Sequence, residues 1–400
     1  MFLCAIVTLL GCPQAWADAV TEWNIKAGGI ITEAKPNPPV AYRVMAIMHA
    51  AVYEATNAIT QRYGSGLKLE AAQGASIDAA VAAASRASLL KLLPTQRAAI
   101  DAAYEAALGK LPDCPSKTDG VVVGEKAAAA VLAMCVDDGA ATTETYRPLT
   151  TPGAYVPTVV PVVSHWPRRK PWLMTTPDQF RPGPPPKLDS ERWARDFVEV
   201  RELGGKSSAR RTTEQTEIAR FWEATLPPIY HGLVRSIAKD PGREVTQNAR
   251  LFAAVTQASD DAIIAVFDAK YHYSFWRPIT AIRNGDCNGN DATKRDPSWL
   301  PFIDTPMHPE YPCAHCIVAS AVATVLRAEI GAGPMPTLTT TSPTAVGTSR
   351  SWTNLDDFVR EVAEARICDG VHYRYSTEVA VTMGQRVGQL AVAKVLRAGE

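Results

Sequence analysis

The sequence predicts an all-α protein built as a helical bundle. Apolar residues recur at helical spacing through most of the chain, and the alternation typical of β-strands is almost absent. Hydrophobic residues make up 46% of the 400 residues, which is enough for a sizeable core. Lys plus Arg and Asp plus Glu number 41 each. This balance gives no indication of a nucleic-acid or membrane partner, so anion chemistry would need local clusters of basic residues.

The N-terminus has the pattern of a cleavable export signal over residues 1–17. An apolar segment, residues 2–10, precedes an A-x-A cleavage site at residues 15–17. We therefore predict a secreted or periplasmic mature chain, with a bacterial lipid anchor on Cys12 as the alternative. No later stretch has the ~18–20 uninterrupted apolar residues of a membrane span. Residues 18–400 are expected to form a single helical domain.

Six cysteines would remain after cleavage, an even number that permits up to three disulfides: Cys114, Cys135, Cys287, Cys313, Cys316 and Cys368. Their pairing cannot be deduced from the sequence. Cys313 and Cys316 form a C-x-x-C pair, for which a local disulfide or free buried thiols are the favoured interpretations. A structural zinc site would have to recruit Cys368, His315 or Cys287. A thioredoxin-like redox motif would need a βαβ context, which the sequence lacks.

Helical periodicity, interrupted by Gly and Pro, predicts helices over 41–59, 76–92, 95–109, 120–136, 190–203, 213–224, 246–275, 313–330, 354–367 and 376–397. Between the fourth and fifth of these, residues 146–188 are rich in proline and include the run at 184–186. We expect an extended segment that wraps the helical body, because Trp166, Trp172 and Phe180 require burial. A flexible linker is the alternative.

The first motif that carries chemistry lies near the end of the predicted helix 246–275. Lys270 and Arg277 enclose the stretch Tyr-His-Tyr-Ser-Phe-Trp, and Pro278 follows. Their spacing is about two helical turns, so we expect both cations on one face of a helix that ends at Pro278. The aromatic neighbours favour burial over a solvated basic face, and buried cations need an anion.

The second motif is the stretch 308–316, His-Pro-Glu-Tyr-Pro-Cys-Ala-His-Cys, which precedes an apolar helical run. Pro312 lies where a helix would begin, and the free N–H groups of a first helical turn form an anion site. His315 in that turn is positioned for proton transfer to a bound oxyanion or leaving group. The alternative is an ordinary helix start with a surface histidine.

The third motif runs from Arg366, at a predicted helix end, through the helix-breaking pair 369–370 to His372. Alone, this motif is not specific. In chain order, however, the three motifs give Lys-x6-Arg-Pro, then Pro-x-x-His, then Arg-x5-His. Further distinctive stretches lie at residues 49–59, 180–186 and 213–222.

This set of motifs resembles the signature of the superfamily shared by vanadium haloperoxidases and type 2 phosphatidic-acid phosphatases. The other stretches are similar to its bacterial haloperoxidase-like branch. The resemblance covers residues 20–395, and the motif-bearing part is 246–397. It implies an all-α bundle with an oxyanion pocket between its helices.

The resemblance also implies a role for each matching residue. Lys270, Arg277 and Arg366 would bind the equatorial oxygens of vanadate, the cofactor, or of phosphate. His372 would be the axial vanadium ligand or, in a phosphatase, the nucleophile. His315 would be the acid–base group. The residue chemistry agrees, since three cations neutralise a trianion and fixed donors stabilise a five-coordinate phosphoryl transition state.

Three functions are therefore expected in order of preference. The first is a vanadate-dependent haloperoxidase that oxidises halide with hydrogen peroxide to a hypohalous species. The second is an acid phosphatase that hydrolyses a phosphate ester through a phosphohistidine at His372. The third is a degenerate oxyanion-binding protein without turnover. A homo-oligomer is compatible with each of them.

Two positions depart from the family pattern. Cys313 and Ala314 replace the usual Ser and Gly as oxyanion donors; a thiol is a weak donor, whereas the Ala314 N–H still serves. Ser376 replaces an Asp that often orients the axial histidine, and we expect Ser376 to cap the last helix instead. These departures motivate the degenerate alternative. Because peroxide and hypohalite oxidise exposed thiols, Cys313 also gives weight to the phosphatase.

Some further residues are assigned structural places. His49 is predicted to be a core histidine, since apolar residues surround it at helical spacing. His272 should face away from the Lys270 side of its helix. Gly384 and Gly388 form G-x-x-x-G in the last helix, which we interpret as close helix packing in preference to membrane dimerisation.

Overall fold

A computed structural model describes residues 18–67 and 69–397 of the chain. The predicted signal peptide 1–17, with the alternative lipid-anchor site Cys12, lies outside the described residues. Within the described ranges, no helix is long and apolar enough to cross a membrane. The all-α prediction is confirmed, because the described chain is mostly helical and its strands form one two-stranded sheet.

The α-helices are α1 (Ala19–Ala34), α2 (Pro38–Thr60), α3 (Ile77–Leu92), α4 (Arg97–Leu108), α5 (Pro115–Met134), α6 (Glu191–Leu203), α7 (Thr213–Trp222), α8 (Pro228–Ala238), α9 (Val245–Tyr273), α10 (Pro278–Arg283), α11 (Ala314–Ile330), α12 (Leu355–Cys368) and α13 (Arg374–Ala391). Short 3-10 turns lie at Pro94–Gln96 and Trp166–Arg168, and a π-helical turn at Val392–Leu396 ends the described chain. The strands β1 (Leu338–Thr341) and β2 (Ser349–Trp352) pair antiparallel.

Helices α1, α8 and α10 and the hairpin were not predicted. Helix α1 contains Gly28 and Gly29, which weaken a periodicity argument, although Asp18 caps its first turn by accepting from the Thr21 N–H. Helix α8 starts at Pro228, where proline fits the first helical position. Helix α10 likewise starts at a proline, Pro278.

The long helix α9 is the centre of the molecule and is buried along most of its length. It packs against α2, α11 and α13, while α3 and α5 extend the bundle on the far side of α2. Helix α13 approaches α11 closely at Gly384, where an added Cβ would lie 2.3 Å from the Ile317 carbonyl oxygen. This contact agrees with the packing role expected for the G-x-x-x-G spacing.

The proline-rich segment is fixed to α9 by buried charges. Arg169 donates from Nη1 to both oxygens of Asp260 at 2.8 and 2.9 Å, and from Nη2 to Asp138 at 2.8 Å. The carboxylate of Asp261 accepts three backbone N–H groups, from residues 172–174, at 2.7–2.9 Å. These contacts favour the wrapped segment over the flexible linker, because the buried carboxylates of α9 find their donors in it.

A separate cluster of aromatic side chains packs together the loops that follow α9 and α12. Its buried members are Trp193, Phe197, Phe275, Trp276, Trp299, Tyr311, Tyr373 and Tyr375, with Val200, Ala281 and Ile282. Trp193 contacts Phe275, Trp276 and Tyr373 with ring-centroid distances of 4.9–5.9 Å. The cluster therefore holds the segments next to Arg277 and His372 against each other.

Candidate functional site

A cavity of about 460 Å³ opens between α2, α9, the start of α11 and the loop that precedes it. Its lining includes the apolar side chains of Ile263, Phe267, Ile303 and Met307. It also includes the polar side chains of His308, His315, Arg366 and His372. The second and third motifs, which are far apart in the sequence, thus meet at one cavity. Arg277 of the first motif contacts two of its lining residues, His308 and His372.

Lys270 lies in the last turn of α9 and is fully buried. Its Nζ donates to the carbonyl oxygens of Pro309 and Glu310, at 3.0 and 2.6 Å. Burial lowers the pKa of Lys270 well below its ordinary value, and the charge of Arg277 lowers it further. Lys270 therefore links the second motif to α9. Its positive charge is fully buried, where the loss of hydration is unfavourable.

Arg277 does not share a helix face with Lys270, so that prediction was wrong. Helix α9 ends at Tyr273 because Ser274 adopts a left-handed conformation with φ 47°, and the extended backbone then leads to Arg277 as the N-cap of α10. Pro278 begins α10 and does not end α9. The two cations meet through tertiary packing, since the charge of Arg277 lowers the pKa of Lys270.

The Arg277 guanidinium is surrounded by neutral acceptors. Nε donates to the His308 carbonyl at 2.9 Å and Nη1 donates to the Val371 carbonyl at 2.7 Å. Nη2 lies 3.0 Å from His308 Nδ1, and Nη1 lies 3.4 Å from His372 Nε2. Burial lowers the pKa of Arg277 to about 10. The two carbonyl groups orient the guanidinium by accepting its hydrogen bonds, but they carry no net charge that would neutralise it.

Helix α11 begins at Ala314, two residues after Pro312, and Cys313 is its N-cap. The Cys313 Sγ accepts from the Cys316 N–H at 3.3 Å. His315 lines the cavity, and its Nε2 lies 3.0 Å from the Ala224 carbonyl. Because a carbonyl only accepts, Nε2 carries the proton, and Nδ1 is free to accept one. The surface-histidine alternative is therefore wrong.

Arg366 lies in the last turn of α12 and is buried. Nη1 donates to the Trp222 carbonyl at 2.9 Å and to Asp369 at 2.5 Å. Among the described residues, its Nε has no hydrogen-bond partner. Burial raises the pKa of Asp369 to about 7, although the charge of Arg366 lowers it. Helix α12 ends at Cys368, and Gly370 takes φ 78°, as the helix-breaking pair predicts.

His372 is held by a carboxylate that the sequence did not reveal. Glu310 Oε1 lies 2.7 Å from His372 Nδ1 and accepts the Tyr373 N–H at 3.2 Å. Burial raises the pKa of Glu310 to about 7, against the lowering charges of Lys270 and Arg277. With Nδ1 engaged by Glu310, Nε2 is the ring nitrogen on the Arg277 side and the one available as a ligand or nucleophile.

Ser376 does not cap the last helix, so that prediction was also wrong. Helix α13 starts at Arg374 with Tyr373 as its N-cap, which places Ser376 in the first turn. Its hydroxyl is fully buried and, within the described chain, lacks a hydrogen-bond partner by distance and angle. The carboxylate that orients His372 comes instead from Glu310, on the loop before α11.

His308 is a further cavity residue to which the sequence gave no role. Its Nδ1 lies within 3.0–3.1 Å of Arg277 Nη2 and the Pro309 carbonyl, and its ring packs on Phe267 at 5.1 Å between centroids. Burial lowers the pKa of His308 well below its ordinary value, and the charge of Lys270 adds to this. The only available signal was its position at the start of the second motif.

Three buried cations, Lys270, Arg277 and Arg366, provide donors for an anion at this site, although the carboxylates of Glu223 and Asp304 also line the cavity. Within the described part of the chain, Lys270 and Arg277 donate to carbonyl and imidazole groups, and neither forms a salt bridge with a carboxylate. Glu310 and Asp369 are already engaged by His372 and Arg366. These groups fit a tetrahedral oxyanion such as vanadate or phosphate. The free Arg366 Nε and the cations Lys270 and Arg277 would donate to its oxygens, and His372 Nε2 would be the ligand.

The cysteines and two further histidines, His49 and His272, are considered next. The six cysteines of the described chain are free thiols, which decides between a local disulfide and free thiols at Cys313 and Cys316. The described residues contain no group of three or more His, Cys, Asp or Glu side chains placed to hold a metal ion. His49 is a core residue bound through Nε2 to Asn24 at 3.0 Å, and His272 is exposed.

Comparison with known proteins agrees with this geometry. Residues 250–399 match a family described as the second helical-bundle domain of vanadium chloroperoxidase. The vanadium chloroperoxidase of Curvularia inaequalis is 30% identical over 147 residues, covering 30% of this chain and 24% of that protein. A bacterial vanadium-dependent iodoperoxidase, described as the first of its kind, superposes with a TM-score of 0.80 at 25% identity, covering 94% of this chain and 96% of that one.

The chain has the vanadium haloperoxidase fold, and its residues 250–399 match a helical-bundle domain of that family. An apo bacterial vanadium-dependent chloroperoxidase shares this fold, with a TM-score of 0.75 and 19% identity over 90% of this chain and 94% of that one. The curated chloroperoxidase is matched over about a quarter of its own length. The resemblance predicted from the motifs is therefore confirmed at the level of the fold and of the C-terminal helical domain.

Proposed function

We propose that the chain is a vanadate-dependent haloperoxidase that oxidises halide with hydrogen peroxide to a hypohalous species. The observation that carries this proposal is a pair of buried cations, Lys270 and Arg277, whose hydrogen bonds in the described chain go to carbonyl and imidazole groups, beside a histidine whose Nδ1 is engaged by Glu310. A buried site of this kind is stable in its charged form only with an anion bound.

The proposed binding mode follows from the donors that remain free. Lys270 uses two of its ammonium donors on carbonyls and retains one, and Arg366 retains Nε. Arg277 would turn toward the oxyanion the Nη groups that now face His308 and His372. His372 would hold the vanadate through Nε2. Vanadate in such a site supplies the Lewis-acid centre at which hydrogen peroxide is activated toward halide.

His315 is the proposed acid–base group. Burial and the charge of Arg366 lower its pKa well below the ordinary value, so the ring is neutral before an anion binds. Its Nε2 proton is committed to the Ala224 carbonyl, which leaves Nδ1 to accept a proton from incoming hydrogen peroxide. A bound oxyanion would offset the neighbouring cations and so raise the proton affinity of this nitrogen.

A phosphomonoesterase is the second candidate, favoured by the contact between Glu310 and His372. A carboxylate on Nδ1 increases the basicity of Nε2, which is what a phosphoryl-accepting histidine requires. Nε2 would form a bond to phosphorus as the ester oxygen leaves with a proton from His315 Nδ1, which would become protonated once the bound phosphate offsets the neighbouring cations. Water would then hydrolyse the phosphohistidine and release phosphate.

The degenerate alternative loses one of its two reasons. It was motivated by Cys313 and by Ser376 in place of an orienting carboxylate, but Glu310 provides a carboxylate at 2.7 Å from His372. Only the weak donor Cys313 remains in its favour. Export to the periplasm or outside the cell stays a prediction from the sequence.

Parallel assays of the purified full chain test the proposal. Halide-dependent bromination is measured with orthovanadate and peroxide, and p-nitrophenyl phosphate hydrolysis is measured without vanadate. We expect bromination that His372→Ala abolishes and that His272→Ala, at an exposed histidine, leaves unchanged. Hydrolysis without bromination would favour the phosphatase, and activity in neither assay would favour the degenerate protein.

A further inference from the structure

Cys313 and Cys316 form a pair of thiols on one turn at the start of α11. Cys313 is the N-cap and Cys316 is the third helical residue. The Cys316 N–H donates to Cys313 Sγ at 3.3 Å, so the first sulfur lies directly over the turn that carries the second. Both side chains are fully buried free thiols. Residues three apart on a helical turn lie within the range that a disulfide can bridge.

The surroundings of Cys313 favour a reactive thiolate. The N-terminus of α11 and the charges of Arg366 and Lys270 all stabilise negative charge at this sulfur. Burial alone would raise the pKa of Cys313, but the hydrogen bonds from Cys316 and these charges lower it overall. Ala314 and His315, the next residues, line the cavity, so a small oxidant in the cavity lies beside this turn.

The two other buried thiols have the opposite setting. Cys135 is the C-cap of α5, and Cys368 is the last residue of α12, so both lie at the negative ends of their helices. Burial raises the pKa of Cys135 to about 11 and that of Cys368 to about 12. Neither has a second cysteine one turn away. They are matched controls for burial without a partner thiol, and at both of them carboxylates accompany the neighbouring arginines.

We propose that Cys313 and Cys316 are a dithiol that hydrogen peroxide oxidises reversibly to a disulfide beside the oxyanion pocket. The inference rests on the proposed function only in that hydrogen peroxide enters this cavity as a substrate. It assigns to the pocket a modification site in addition to its binding residues. The pair is chemically a peroxide-sensing site, independent of any βαβ fold.

The chemistry balances with one molecule of hydrogen peroxide. The Cys313 thiolate attacks one peroxide oxygen, the O–O bond breaks, and hydroxide leaves and takes up a proton as water. The Cys316 sulfur then attacks the sulfenic acid on Cys313, the S–O bond breaks, and a second water leaves. The two thiols lose two electrons and become a disulfide, and the peroxide gains them.

The oxidised pair is expected to hold an oxyanion more weakly. A disulfide has no S–H to donate, and the bond would pull Cys313 Sγ toward Cys316 and away from the bound oxygen. Reduction would restore the donor. Excess peroxide would thus lower the affinity of the pocket for its oxyanion, and a thiol reductant would reverse the effect.

Thiol mapping on the full chain tests the proposal. The protein, without vanadate or halide, is exposed to increasing hydrogen peroxide, then unfolded and alkylated, and its cysteine peptides are measured by mass spectrometry. We expect the Cys313–Cys316 peptide to become a disulfide at least about tenfold faster than Cys135 or Cys368 is oxidised. Exposed Cys114 and Cys287 report that the peroxide is active.

Two variants keep the test decisive. Cys316→Ser should accumulate a sulfenic acid on Cys313 that dimedone traps, whereas Cys313→Ser should leave Cys316 unmodified. The proposal is overturned if the pair stays reduced while Cys135 and Cys368 are oxidised, or if Cys316→Ser yields no adduct. A disulfide without bromination activity would contradict only the proposed function. Bromination with persistently free thiols would contradict only this inference.

Discussion

Arg169 and Arg277 are buried to almost the same degree, with 2% and 1% of their surface exposed, but their partners differ. Arg169 contacts the carboxylates of Asp260 and Asp138 and fixes the proline-rich segment to α9. Burial alone would lower its pKa, yet these two charges raise it overall. Arg277 contacts only carbonyls and imidazoles, and burial lowers its pKa to about 10.

The difference separates a structural charge from a binding charge. A buried arginine with carboxylates around it has its charge balanced within the protein, and removing it leaves unpaired anions. A buried arginine oriented by neutral acceptors is incomplete and gains its counter-charge from a ligand. Stability and anion affinity should therefore respond in opposite ways at the two positions.

The largest expected effect is on stability at Arg169. Arg169→Ala leaves Asp260 and Asp138 buried with fewer partners and should lower the free energy of unfolding by about 3–5 kcal/mol. Denaturant unfolding measures this loss. Arg168→Ala, at the exposed neighbouring arginine, is the matched control and should change stability little. Equal losses in both variants would contradict the structural role of the buried network.

The next effect is on anion affinity at Arg277. Arg277→Ala should weaken vanadate binding by about 1.5–3 kcal/mol, the usual contribution of a charge-assisted hydrogen bond. Without vanadate it should destabilise the fold less than Arg169→Ala does, because the lost charge had no counter-charge. Isothermal titration with vanadate measures the affinity, and denaturant unfolding measures the stability. Arg283→Ala, at the other end of α10, controls for loss of an arginine from this helix. The comparison breaks down if Arg277→Ala loses more stability than Arg169→Ala.

Glu310→Gln is expected to weaken vanadate binding by about 10- to 100-fold. A carboxylate on the second nitrogen of a ligating histidine orients the ring and raises its basicity. The substitution preserves size and an acceptor for His372 Nδ1. Its separate readout is the proton resonance of the His372 ring N–H, which should move upfield when the charged acceptor is lost. A purely packing role for Glu310 would leave that resonance and the affinity unchanged.

The smallest effect is a gain at Cys313. Cys313→Ser should strengthen oxyanion binding by about 0.5–1.5 kcal/mol, because a hydroxyl donates better than a thiol. Serine is also a good N-cap, and the Cys316 N–H is already directed at this position. We therefore expect an unchanged or higher melting temperature. Weaker binding together with a lower melting temperature would refute the donor assignment.

The helices were predictable where apolar periodicity was strong, as in α2, α3 and α9. The failures have local causes. The apolar pattern that identifies a helix is interrupted by Gly28 and Gly29 in α1 and by Pro227 and Pro228 at the start of α8. Ser274 ends α9 before Arg277 by adopting a left-handed backbone conformation, which its residue type does not predict. Spacing alone therefore gave the wrong relation between Lys270 and Arg277.

The composition of the site was more predictable than its geometry. The order of the three motifs identified the cations and the two histidines, because each motif is local in the sequence. Glu310 was missed because its contact with His372 joins positions 62 residues apart. The family pattern often places the orienting carboxylate at the position of Ser376. Tertiary contacts of this kind leave no periodic signal, so only the fold reveals which carboxylate faces which histidine.

Equilibrium dialysis of orthovanadate against the purified full chain, its Arg277→Ala variant and its His372→Ala variant is the most direct measurement of the central claim. The claim is that the uncompensated charge beside His372 is a binding site for vanadate. We predict one vanadate per wild-type chain, weaker binding by Arg277→Ala and loss of coordination by His372→Ala. Equal binding by the wild type and His372→Ala would contradict the ligand assignment and the account built on it.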